Sequence, residues 1–212
     1  MFLGGVGWTQ PIGNTYHYLT PSYGLQFGGG RQWSNKFALP IQFDFDHFGF
    51  NGRTITNQSY LYFGEEGQGL DGSSHTWSFT VDPTYTFYSG DAVGAYVVAG
   101  VGFYHKVADF FVPEVVEGCE GYYCGDFEEN ETLQEFTSNA PGFNGGFGLT
   151  YKFSHFSNER FYGEVRYVFI DNSQRYGYTA ANANTTTYNG WDFYPANSNR
   201  TTYVPVKFGL RF

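Results

Sequence analysis

Eight charged residues share one property. Asp44, Asp46, Asp82, Lys152, Glu164, Arg166, Lys207 and Arg211 all occupy the polar positions of segments in which apolar and polar residues alternate. Side chains of an extended strand point to its two faces in turn. These four acids and four bases are therefore expected on one face of a common sheet. If that face is removed from water they must pair, because an unpaired buried charge is costly. The chemistry implied is an ion-pair network that fills space, not a catalytic constellation.

The remaining reactive residues are fewer. His47, His75 and His105 lie at the same ends of three successive alternating segments, on the apolar side, and His17 falls towards that end as well. They are read as interfacial histidines, with no metal assigned. Cys119 and Cys124 have four residues between them, a spacing that allows a small disulfide loop in an oxidising compartment. No CxxC or nearby His pair accompanies them, so a structural metal site is not expected. Ser74 and His75 are adjacent, but G-x-S-x-G, H-E-x-x-H and phosphate-cradling loops are missing from the sequence, and neither an enzyme nor a cofactor is expected. The sequons at Asn57, Asn130, Asn184 and Asn199 follow from Asn- and Thr-rich loops.

Eight segments position these residues, at about 2–9, 22–33, 36–48, 75–88, 93–106, 142–154, 160–171 and 201–212. Within 36–48, Phe37, Leu39, Ile41, Phe43 and Phe45 oppose Pro40, Gln42, Asp44 and Asp46. Within 160–171, Phe161, Val165, Tyr167 and Phe169 oppose Tyr162, Glu164 and Arg166. Pro40, Pro83 and Pro205 imply bulges or strand ends, since proline lacks a ladder donor. Three connections are short, whereas those at about 10–21, 49–74, 107–141 and 172–200 are long. With an even number of strands, the short turns and both termini fall at one end and the long loops at the other.

Composition narrows the class. The chain has 212 residues, 22% of them aromatic, with 29 glycines and only 15% charged, and a single domain over 1–212 is expected. No apolar run reaches the roughly 18 residues of a membrane-spanning helix, which says nothing against spanning by strands. Met1-Phe-Leu-Gly-Gly lacks the features of a signal peptide, so the sequence is read as a mature or trimmed chain. The net charge of −9 argues against nucleic acid as a partner. Residues 107–140 hold nine acids and no Lys or Arg. They lack the spaced D-x-D-x-D-G pattern of a calcium loop and read as a solvated, repulsive surface loop.

Alternation alone does not say which face is outside. The polar face carries Gly24, Gly28, Gly30, Gly100, Gly102, Gly146, Gly148 and Gly209. Glycine is poorly placed on an exposed strand face, but inside a narrow barrel it leaves room for large side chains from opposite walls. Trp8, Trp33, Trp77, Tyr85, Phe87 and Phe153 near strand ends fit interfacial girdles. The closing stretch Tyr203-Val-Pro-Val-Lys-Phe-Gly-Leu-Arg-Phe212 alternates through Val204, Val206, Phe208, Leu210 and Phe212 and ends on an aromatic. On this strand and the loop asymmetry, the chain resembles small outer-membrane barrels of the outer membrane protein A transmembrane-domain type. The resemblance implies an eight-stranded antiparallel up-and-down transmembrane β-barrel in the bacterial outer membrane, surrounded by outer-membrane lipid. It also implies that Phe208, Leu210 and Phe212 form the signal read by the barrel-assembly machinery. The expected role is display of extracellular loops for adhesion or self-association, with Tyr176-Gly-Tyr178 and Trp191-Asp-Phe-Tyr194 as contact segments and the lumen plugged by ion pairs. The alternatives are a small-solute pore and a lipid-modifying enzyme.

Overall fold

The alternating segments fold into eight antiparallel strands. They are β1 (Phe2–Pro11), β2 (Ser22–Gln32), β3 (Phe37–Phe50), β4 (Asp71–Val81, continued as Thr84–Ser89), β5 (Val93–Glu120), β6 (Tyr123–Lys152), β7 (Arg160–Ile170) and β8 (Thr201–Arg211). This computed structural model describes residues 1–63, 69–120, 123–153, 159–173, 178–179, 193–194 and 200–212. Among these, side chains are described for all but 61–62, 114–120, 123–129, 178–179 and 193–194. Each strand pairs with its sequence neighbour, and β8 pairs with β1 through Gly5↔Gly209 and Trp8↔Val206. The sheet is thereby closed into an eight-stranded up-and-down barrel, which removes its free edges.

Burial follows the alternation with the usual polarity of a water-soluble sheet inverted. Along β7, Tyr162, Glu164, Arg166, Val168 and Ile170 are buried, and the residues between them are not. Outward-facing Val6, Phe27, Ile41, Val101, Phe147 and Leu149 are 55–66% exposed on neighbouring strands. A continuous apolar belt of this kind is matched to hydrocarbon rather than to water. Trp8, Trp33, Tyr85, Phe87 and Phe153 are exposed towards the ends of the same surface. Phe208, Leu210 and Phe212 lie on it too, exposed on the last strand.

Three boundaries differ from the sequence expectation. The segment expected as an acidic loop over 107–141 is strand: β5 and β6 pair without interruption of direction from Val93↔Tyr151 to Glu120↔Tyr123, with one register shift at Phe110/Phe111. Pairing to β4 ends at Asp71↔Phe111 and pairing to β7 ends at Gly142↔Ile170, so among the described residues the tip of this hairpin pairs only with itself. Charge density suggested loop, but Val112, Val115, Val116 and Phe127 supply strand-forming residues between the acids. The 49–74 connection contains a helix, α1 (Gly52–Phe63). Asn51 begins it, its Oδ1 accepting from the Thr54 amide at 2.8 Å, as a helix N-cap does. The strand expected over 75–88 begins earlier, at Asp71, and breaks at Asp82–Pro83, where proline removes a ladder donor.

The 10–21 connection folds down onto β8. Gly13 takes a left-handed φ of +57°, which glycine adopts without strain, and a short 3-10 turn follows over Gly13–His17. Thr15, buried in that turn, accepts the Thr202 amide at 2.9 Å.

Candidate functional site

The barrel interior is built in layers. At mid-height, β3, β7, β8 and the Asp82–Pro83 break in β4 each present a charge inward. Arg166 Nη1 lies 3.1 Å from Asp82 Oδ2 and its Nε pairs with Glu164. Lys207 Nζ lies 2.7 Å from Asp44 Oδ1 and 3.0 Å from Asp46 Oδ1. Each cation thus holds two carboxylates, leaving one formal negative charge per cluster. Neutral donors satisfy the surplus. Thr80 donates to Asp82 at 2.7 Å, Asn144 to Asp82 at 2.9 Å, Thr9 to Asp46 at 2.8 Å and Tyr96 to Glu164 at 2.8 Å. Full satisfaction is what makes a buried ionic network tolerable.

Six of the eight charged residues singled out in the sequence come together in this way; Lys152 and Arg211 do not. Lys152 sits at the turn end of β6 with no ion pair among the described residues, and Arg211 lies over the Tyr96 ring, 5.6 Å from its centroid. Both are on the inward parity but too near the barrel mouth to reach the acids. Gln26 and Gln42 join the network: Arg166 donates to Gln42 at 2.8 Å, Gln26 to Gln42 at 2.9 Å and Tyr162 to Gln26 at 2.7 Å. Gln26 and Tyr96 were not foreseen, since the glycines of β2 and β5 blur the alternation around them. The glycines leave the space these groups occupy. A Cβ on Gly100 would collide with the Asp82 carboxylate and stand 2.8 Å from Asn144 Nδ2, and one on Gly24 would collide with Asp46 and stand 2.8 Å from Thr9 Oγ1. The space left between the two clusters is room for about one water.

Above the ions, towards the long connections, the interior turns apolar. Leu19, Phe48, Tyr104, Ala140, Val168, Ile170 and Tyr203 form one buried cluster with Phe50 packed against it, and Phe48 meets Tyr203 edge-on at 5.3 Å. These residues occupy the parity that carries charge lower down. Their signal in the sequence is loss of alternation at the strand tops, as in Val168-Phe169-Ile170 and Phe48-Gly-Phe50.

Other candidates are separated or set apart. His47 and His75 are directly opposite on the outer surface. His47 stacks on Tyr23 and His75 on Phe45, while His105 packs against Trp77. Among the described residues no group of three His, Cys, Asp or Glu is placed to hold a metal. Ser74 is fully buried and donates to the Val107 carbonyl at 2.8 Å, so its hydroxyl and the outward ring of His75 lie on opposite faces and form no dyad. Cys119 stands opposite Cys124 in the backbone register; their side chains lie outside the described residues, as do Tyr176, Gly177 and Trp191 and the side chains of Tyr178, Phe193 and Tyr194.

No protein-family model matches the sequence, and no curated protein matches it. Solved structures do. Ail, the attachment invasion locus protein of Yersinia pestis, in complex with the heparin analogue sucrose octasulfate, is similar over 100% of this chain and 97% of its own, at 14% identity and a TM-score of 0.50. Neisserial surface protein A is similar over 99% of this chain and 93% of its own, at 10% identity and a TM-score of 0.53. At these identities the likeness is one of fold: that of the small eight-stranded outer-membrane β-barrels.

Proposed function

We propose that this protein is a bacterial outer-membrane β-barrel that works by contact at the cell surface, with the β5–β6 hairpin as its contact element. The observation that carries this reading is the hairpin tip. From Val112↔Glu131 to Glu120↔Tyr123 nine residue pairs have no neighbouring strand among the described residues, a projection of roughly 30 Å at ~3.4 Å per residue. Residues 112–131 carry seven acids and no Lys or Arg. Acids stand directly opposite one another at Glu114↔Glu129 and Glu117↔Asp126, an arrangement that weakens a hairpin standing alone. A cationic partner relieves that repulsion, so the partner is a basic protein or surface. Ail was crystallised with a polyanion; the acidic hairpin here argues for the opposite sign of ligand. Contact between copies would need the acids screened, which ranks adhesion above self-association. In this reading lipid surrounds the apolar belt, the assembly machinery reads Phe208, Leu210 and Phe212, and a Cys119–Cys124 disulfide clamps the hairpin tip. The packed lumen serves as a rigid support and carries no solute.

The test replaces residues 112–131 by Asn-Gly, a turn suited to joining Phe111 to Thr132. Cells displaying each form are passed over polylysine-coated and heparin-coated surfaces. Retention on polylysine by the full-length form alone supports the proposal. Equal retention of both forms, with the shortened barrel still migrating faster unboiled than boiled in SDS, overturns it.

A further inference from the structure

A second polar layer lies above the apolar one. Lys106, Ser138, Asn172 and Thr201 are each the next inward position towards the long connections after Tyr104, Ala140, Ile170 and Tyr203 of the apolar cluster. Lys106 pairs across the ladder with Thr76 on one side and Ser138 on the other. Its ammonium donates to Thr201 Oγ1 at 3.1 Å, and among the described residues no carboxylate pairs with it. The acids below are engaged by Arg166 and Lys207, with Tyr104, Ile170 and Tyr203 lying between.

Two further groups around this lysine lack partners. Among the described residues Thr76, 1% exposed, has no hydrogen-bond partner for Oγ1, and Asn172, 3% exposed, has none for Oδ1, though its Nδ2 donates to Ser138 Oγ at 2.9 Å. A half-buried cation with no counter-charge among the described residues, beside two buried polar atoms with no partners there, is an incomplete site: each is unfavourable as it stands. A half-turn of the Asn172 amide lets Ser138 donate to Oδ1 and frees Nδ2 as a donor. Lys106 Nζ, Thr76 Oγ1 and Asn172 Nδ2 then offer donors from β5, from β4 and from just beyond the end of β7.

We propose that this layer is a binding site for a small monocarboxylate, entering from the loop-side mouth of the barrel. One ammonium balances one negative charge, and the hydroxyl and amide supply donors to the two carboxylate oxygens. A phosphate dianion would leave a charge uncompensated beside the Tyr104–Tyr203 layer. The ligand and the acidic hairpin are independent of each other, so either can fail alone.

The test uses the full chain folded in detergent at constant ionic strength, with acetate, inorganic phosphate or chloride as the varied anion. Thermal unfolding is followed by the heat-dependent SDS mobility shift. A saturable rise in midpoint with acetate, at least about tenfold weaker with phosphate or chloride and lost in Lys106→Met, supports the site; a factor of this size follows from removing one charge-assisted hydrogen bond. Lys106→Met should fold, since it removes an uncompensated cation, and Thr76→Val is a second variant that keeps the charge and weakens acetate binding. An acetate effect that survives in Lys106→Met, equal effects of all three anions, or no saturable effect in the wild type overturns the proposal.

Discussion

Replacing Arg166 by Met is the most direct test of the layered interior. The guanidinium touches Asp82 at 3.1 Å, Glu164, Gln42 at 2.8 Å and Asn144 at 3.3 Å. The thioether chain fills much of the same volume, so the loss is electrostatic. Asp82 keeps Thr80 and Asn144, and Glu164 keeps Tyr96, at 2.7–2.9 Å, but both carboxylates lose their cation at 0–5% exposure. Two charge-assisted hydrogen bonds at about 1.5–3 kcal/mol each, eased by relaxation, agree with the roughly 3–5 kcal/mol seen when one partner of a buried pair is removed. Adding Glu164→Gln takes away one stranded charge and should restore about 1–3 kcal/mol, the coupling expected of contacting residues. The assay is urea unfolding of the detergent-folded barrel, followed by tryptophan fluorescence and by SDS mobility without boiling. A cost below about 1 kcal/mol for Arg166→Met, the range of a solvated surface pair, would refute a desolvated network. A double variant no better than the single one would refute the coupling to Glu164.

Two other outcomes follow from the same geometry. In planar bilayers the wild-type protein should show no discrete conductance steps at moderate voltage. Tyr203→Ala should stay closed as well, because the Arg166 and Lys207 clusters lie beneath the apolar layer; reproducible single-channel openings of the wild type would sink this reading. Above the membrane belt, burial pushes the Asp109 carboxyl above its ordinary 3.8, and Glu135 opposite raises it further against a smaller lowering by His75. A carboxyl with its folded pKa above its unfolded value binds its proton more tightly in the folded state. The hairpin base should therefore be most stable below the unfolded value and lose stability as pH rises through the folded one. Amide-exchange protection over 107–111 and 132–137 should fall as pH is raised from about the ordinary 3.8 in the wild type and fall less in Asp109→Asn, and identical profiles would exclude the group.

Why the architecture was legible and part of the interior was not comes down to what a period of two records. Alternation assigns each residue to a face, and that is enough to place Asp44, Asp82, Glu164, Arg166 and Lys207 together inside a closed sheet. It does not record height along the barrel. Lys152 and Arg211 have the right face and the wrong height, so their charges stay apart from the acids. The apolar layer escapes for a related reason: at Tyr104, Ile170 and Tyr203 the inward side chain is apolar like outward Phe103, Phe169 and Val204 beside it, and the alternation that defines a strand fades there. The hairpin was lost to charge. Acid density is a reasonable guide to a loop in isolation, but pairing here continues upward from a ladder already formed by the barrel, so each further pair adds to an existing strand end instead of nucleating one. The same continuity sets Lys106 above the buried ion pairs. The ladder places it one inward step beyond Tyr104, where the acids that could have balanced it lie below the Tyr203 ring.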